Sequence, residues 1–155
     1  MKSCRQHLTQ QICMDVFELT YDRMRRYQGD WHVEKLSLFP DYFFIESMDE
    51  AGLRDELEQY KTVFYALGAK DVLIPVGREE EAFLQKICDR SHHLGMSRGV
   101  IRDGRTWVTE GPLKEKEFLI QRIDRHKRIA RVRIPDAGNK REMVLGLEIV
   151  GKSLD

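Results

Sequence analysis

Apolar residues recur along this chain with two different periods, and the change of period divides it. Between residues 4 and 19, Leu8, Ile12, Val16 and Leu19 stand at helical spacing among Gln and Thr, which predicts an amphipathic helix. Leu53, Leu57 and Tyr60 predict a second helix within "EAGLRDELEQYK", and "EEEAFLQKICDR" after Gly77 predicts a third, its first turn acidic where the helix dipole favours negative charge. Among these lie short apolar or aromatic runs. "QGD" at 28–30 separates two of them and reads as a hairpin turn, with Gly29 supplying the positive φ. "YFFIES", "VFYAL" and "DVLIPV" read as further strands. "SHHLGMSRG" at 91–99 has no clear period and reads as a linker. Beyond it the pattern is strands only: "RTWVT", "EFLIQRI", "RIARVRI" and "EMVLGLEIV". Ala130, Val132 and Ile134 alternate with Arg131 and Arg133, and Met143, Leu145, Leu147 and Ile149 alternate likewise, the period of half-buried strands in a small barrel. The expectation is an α+β chain: a helix-and-sheet domain at 1–90, a linker at 91–99 and a β domain at 100–155.

A chain of 155 residues, 41% hydrophobic and 34% charged, has the size of one domain or two small ones and the composition of a globular protein. No apolar run reaches the length of a membrane helix, and no leader pattern opens the chain. Cys4, Cys13 and Cys88 are too few and too scattered for a disulfide framework, so a reduced, cytoplasmic setting is expected. The net charge of zero conceals a division: residues 1–99 carry 13 Lys/Arg and 17 Asp/Glu, residues 100–155 carry 13 and 9. Two units facing different partners would produce such a split, as would chance.

The basic residues of the second half concentrate between 109 and 134. Arg131 and Arg133 share a strand face opposite Ala130, Val132 and Ile134, while Arg125, His126, Lys127 and Arg128 occupy the preceding turn. Lys114 and Lys116 lie upstream. Phosphate contact needs clustering of this kind; an ordinary solvated face of a small β domain would show it too.

Catalytic and metal chemistry find little here. There is no GxSxG, no P-loop and no GxGxxG, and "HH" at 92–93 lacks an evident nucleophile or carboxylate partner. Cys88 and His92 are four apart, with His93, Cys4 and His7 as further donors, but no paired CxxC or HExxH organises them. Cys13 and Cys88 are expected as small core residues, and Trp31 and Trp107 as packed against sheets. No enzyme activity, cofactor or metal is expected.

Four segments in order carry a resemblance. "LFPDYFFIE", "MSRGVIRDG", "VTEGPLKEKE" and "LGLEIV" together resemble the NusG family of transcription elongation factors, over nearly the whole chain. "GPLK…IDRHKR…LGLEIV" is more similar to specialised antiterminator paralogues of the LoaP type than to the housekeeping factor. The resemblance implies an N-terminal NGN domain, an antiparallel sheet with helices, and a C-terminal KOW domain, a small SH3-like β-barrel. It implies a monomeric, cytoplasmic bacterial factor that acts in transcription regulation, elongation and antitermination or termination without chemistry of its own. By the family's pattern, the NGN domain binds the clamp helices of the largest RNA polymerase subunit through an apolar patch, here Phe39, Pro40, Tyr42 and Phe44, with Phe64 as a looser match. It also implies that the KOW domain contacts nascent RNA, through Lys114, Lys116, Arg125, His126, Lys127, Arg128, Arg131 and Arg133, or a ribosomal protein of the small subunit. A stand-alone RNA-binding KOW protein that does not bind polymerase is the alternative.

The chain departs from the family in three places. No aromatic-rich strand precedes the first expected helix, which leaves a truncated chain, a misassigned start or a domain one strand short. Asp41 stands where many members have glycine. Glu115 and Phe118 stand where the KOW motif often has glycine, so the turn there is expected to be built otherwise. Without those glycines "EKEFLIQRIDRHKRIA" could also form a helix on propensity, the basis for an expectation that the domain can refold.

Overall fold

The computed structural model describes residues 5, 8, 9, 11–59, 75–135 and 141–153. It is mixed α and β: strands β1 (Asp15–Phe17), β2 (Thr20–Tyr27), β3 (Asp30–Ser37) and β4 (Phe44–Glu46), helices α1 (Glu50–Gln59) and α2 (Arg78–Ile87), then strands β5 (His93–Leu94), β6 (Ser97–Arg102), β7 (Arg105–Glu110), β8 (Ile120–Asp124), β9 (Ile129–Arg133) and β10 (Glu142–Ser153). A single 3-10 turn, Glu117–Leu119, precedes β8. The chain divides into two compact units: Met1–Glu18 with Asp41–Pro75, and Leu19–Pro40 with Val76–Asp155. None of the three boundaries falls at the expected linker. Residues 93–94 and 97–102 are strands, so most of the 91–99 segment is built into sheets.

In the first unit β1 pairs antiparallel with β4, Val16 opposite Ile45. Val16, Leu8, Cys13 and Leu53 form a buried cluster, against which Ile12, Ile45 and Leu57 pack. The helix predicted across 4–19 is therefore corrected at its second half. Its apolar positions do reach a core, but by an extended backbone. One turn closes where Cys13 N–H donates to the Thr9 carbonyl at 2.8 Å. Two residues later the Asp15 carboxylate accepts from the Val16 amide at 2.8 Å, a local bond that competes with the helical ladder. Helix α1 begins where its sequence says it should. Asp49 caps it, its side chain accepting from the Gly52 N–H at 2.9 Å.

The second unit holds a three-stranded sheet, order β3-β2-β5, and a five-stranded sheet, order β7-β6-β10-β9-β8. Gln28 and Gly29, at φ 54° and 81°, make the two-residue turn between β2 and β3 that "QGD" predicts. In the larger sheet the alternation read from sequence holds: Ala130, Val132, Ile134, Met143, Leu145 and Leu147 are buried, while Arg131 and Arg133 are exposed. β6 and β10 run parallel, a pairing no local signal announces. At Gly146 the backbone of β2 comes so close that a Cβ would lie 2.5 Å from the Asp22 carbonyl oxygen, so glycine permits the contact between β10 and the hairpin. Helix α2 buries Glu80, Leu84 and Ile87, one stripe at helical spacing.

The turn at Glu115 corrects an expectation. Glu115 has φ 63°, the left-handed conformation that favours glycine, so at this position a side chain strains to adopt the backbone that glycine would take. Asp41, at φ 72°, does the same in the first unit. Replacement Glu115→Gly is expected to stabilise the folded chain by about 0.5–1 kcal/mol, the left-handed strain relieved less the entropy glycine adds to the unfolded state. Unchanged or lowered melting temperature for Glu115→Gly would show that the backbone there is unstrained. Of residues 115–130, the segment that could also form a helix, 117–119 make the 3-10 turn, 120–124 are β8 and 129–130 open β9. The predicted strand "VFYAL" and most of "DVLIPV" lie outside the described residues.

Candidate nucleic-acid and protein interface

The first candidate surface is the segment 38–46. Leu38 is buried, its N–H donating to the Leu19 carbonyl at 2.8 Å. Phe39 is half-buried and Pro40 exposed, both closing a stretch of the second unit. In the first unit Tyr42 leaves 59% of its surface in water and Phe43 is exposed beside it. Strand alternation assigns one of these to the interior. It does not apply, because the ladder with β1 begins only at Phe44, so Tyr42 and Phe43 precede the strand. Phe44 stacks on Phe17, ring centroids 5.7 Å apart, while Ile45 on the opposite face packs toward the core cluster. Phe64 lies outside the described residues.

The basic set is divided by its environment. Arg125, His126 and Lys127 project from the β8–β9 turn and are exposed. Asp124 anchors that turn: its carboxylate accepts from the Lys127 amide at 3.0 Å, and this bond, with the nearby Lys127 charge, holds its pKa below the ordinary value. Arg128 behaves differently. At φ 54° it turns inward, its guanidinium 3.0 Å from Glu148, 4.0 Å from the centre of the Trp31 ring and within 3.3 Å of the Met24 sulfur. A guanidinium so occupied fastens the β2–β3 hairpin to the sheet and is not offered to a phosphate. Arg125, His126 and Arg128 with Ile149 line a shallow, open depression. Arg131, 4.0 Å from Glu142, and Arg133 stand on the exposed face of β9. Lys114 and Lys116 sit on a separate turn, tied to β6 by the Leu113 N–H donating to Ser97 Oγ at 3.0 Å. The basic residues thus form one exposed turn with a strand face and a second small turn, rather than a single patch.

Two large apolar side chains were missed as surface features. Trp107, expected to pack on a sheet, is 54% exposed on β7, and Phe118 is 78% exposed in the 3-10 turn. Alternation within "RTWVT" could have indicated Trp107, since Val108 takes the buried face and leaves its neighbour outside. Trp31 does pack, under Arg128.

Of the residues weighed as metal donors, Cys4 and His7 lie outside the described residues, and His93 is placed by other contacts. His93 Nε2 lies 2.9 Å from Asp22 and Nδ1 lies 2.8 Å from Thr20 Oγ1, linking β5 to β2. Cys88 is half-buried at the end of α2, and burial, with Asp89 adding to it, pushes its thiol up to about 11. Among the described residues no group of three or more His, Cys, Asp or Glu is placed to hold a metal ion. Nor is any described helix long and apolar enough to cross a membrane. Compared with known proteins, the chain matches no protein-family model and no curated sequence.

Proposed function

We propose that this protein is a transcription elongation and antitermination factor of NusG type. It docks on RNA polymerase through the 38–46 segment and touches RNA through the β8–β9 turn. The observation that carries the reading is the exposure of Tyr42: the aromatic segment that motivates the resemblance leaves this ring in solvent instead of spending it on the core. Half-buried Phe39 and exposed Pro40, in the second unit, are residues of the kind that seats a helical partner. The five strands β6–β10 share one sheet, as the strands of a KOW domain would, and the β2–β3 hairpin belongs to the same unit. Arg125 and Lys127, exposed on one tight turn, supply charge at a density that phosphates recognise. Arg128, on this reading, is a structural residue.

The test is retention of core RNA polymerase on the immobilised full chain, with a mobility-shift titration on structured leader RNA beside it. The wild type is expected to retain the enzyme and Tyr42→Ala to weaken that retention about tenfold or more, the scale of an aromatic anchor. RNA affinity is expected to fall with salt, and Arg125→Gln with Lys127→Gln to weaken binding and flatten the salt dependence. RNA binding with no polymerase captured would replace this reading by that of a stand-alone RNA-binding protein. Affinity indifferent to salt and to both substitutions would remove the turn from the site.

A further inference from the structure

We propose that Trp107, with Arg102 and Arg105, forms a stacking site for an unpaired base of RNA at the β6–β7 end of the large sheet. The proposal rests on the reading of this sheet as an RNA-binding surface and assigns it a second contact, remote from the basic turn.

Trp107 stands on an end strand of the sheet and keeps over half its surface in water, whereas Val108 beside it is buried. Its cross-strand partner is Val100, and the residue that pairs with Val100 on the other side is Gly151. No side chain rises at Gly151, two strands from the indole, and Val150, next to it in the chain, is exposed. At the end of the same hairpin Arg102 and Arg105 stand directly opposite each other. Both are exposed, and neither makes an ion pair among the described residues. Like charges facing across two strands disfavour the pairing, and a bound anion would relieve that repulsion. Arg102, Asp103, Arg105 and Trp107 line one open depression, two guanidiniums against one carboxylate.

Glu148 connects the face that carries this site to Arg128, the residue that follows the basic turn. Arg98, Val100 and Arg102 alternate with the inward residues of β6, and Arg98 reaches Glu148, the carboxylate that also holds Arg128. The Leu147 amide donates to the Arg128 carbonyl, and Ser153 pairs with Arg102. The two sites are therefore separated by the length of β10 from 147 to 153, about 20 Å of strand. A flat aromatic ring flanked by unpaired guanidiniums fits a nucleotide, whose base stacks while its phosphates take the charges. An apolar protein segment would use the ring and leave both arginines unmatched.

The test compares, on the full chain, a single-stranded oligoribonucleotide with a blunt RNA duplex of equal length. Trp107→Ala is expected to weaken single-strand binding about 5- to 100-fold, with Trp107→Phe recovering most of the loss and duplex binding unaffected. Arg102→Gln with Arg105→Gln is expected to flatten the single-strand salt slope by about 1.4, two phosphates at roughly 0.7 each. Unaltered single-strand affinity in Trp107→Ala overturns the proposal, as does an equal loss for duplex. If Arg125→Gln with Lys127→Gln weakens RNA binding while Trp107→Ala does not, the turn stands and the stacking site falls; if the wild type binds no RNA, both fall. Loss of binding to a small-subunit ribosomal protein in Trp107→Ala, with RNA affinity intact, would assign the ring to a protein partner. Should Trp107→Ala not fold, the single-strand salt slope of the arginine pair carries the same decision.

Discussion

Leu145→Ala is expected to destabilise the second unit by about 3 kcal/mol, within the range of roughly 2–5 kcal/mol found for truncating a buried leucine. Leu145 is 1% exposed at the middle of the β9–β10 ladder, and the residue opposite it is Ala130, itself fully buried. Alanine facing alanine would leave a cavity that neither backbone can close, because both strands are held on each side by further partners. A domain of this size has about 5–15 kcal/mol in hand, so the loss is a large fraction of it. Both tryptophans of the chain, Trp31 and Trp107, belong to this unit, so fluorescence during urea unfolding reports on it directly. Arg131→Ala, one residue from Ala130 but on the solvent side, is the control: its pair with Glu142 is long and exposed, and its removal should change stability by less than about 0.5 kcal/mol. Equal midpoints for the two variants would mean that β9 does not present the face described.

Arg141→Met should cost about 2 kcal/mol, for a reason unrelated to cavities. Glu80 on α2 is 5% exposed and its carboxylate accepts from the Arg141 guanidinium at 3.2 Å. Removing the arginine leaves a buried carboxylate without that partner, a change worth roughly 3–5 kcal/mol when both groups are interior. Here Arg141 is nearly half exposed, and solvent screening reduces the figure. Replacing both groups by apolar residues, Glu80→Leu with Arg141→Met, is expected to recover most of the loss, since the desolvated charge goes with its partner. If the double variant is less stable than the sum of the singles, the pair is not the coupling between α2 and the strand that follows residue 141. Urea midpoints of the four proteins close the cycle.

These two variants also show what kind of information sequence carries. The alternation that buries Leu145 is visible in "EMVLGLEIV", because a half-buried strand repeats every two residues whatever its neighbours are. Glu80 shows the limit. As one of three consecutive glutamates in a first helical turn it reads as surface charge, and only the arrival of Arg141, 61 residues later, makes burial tolerable. The same distinction separates the candidate sites. Arg125 and Lys127 are exposed as their turn chemistry implies. Arg128, adjacent to them and identical in type to Arg125, is claimed by Trp31 and Glu148 from distant parts of the chain. The surface position of Tyr42 depends on where the β1–β4 ladder starts, which no local pattern specifies.

By itself, then, the order of residues determined the helices at 50–59 and 78–87, the hairpin turn at Gly29, and the buried faces of β9 and β10. Each follows from periodicity, capping or φ preference acting over a few neighbours. Tertiary structure alone decided that 15–17 is a strand, that β6 lies parallel to β10, that the hairpin 20–37 joins the later strands, and that Arg128 turns inward. Those outcomes are set by pairings between segments far apart in the chain, where backbone hydrogen bonds and close packing outweigh local propensity.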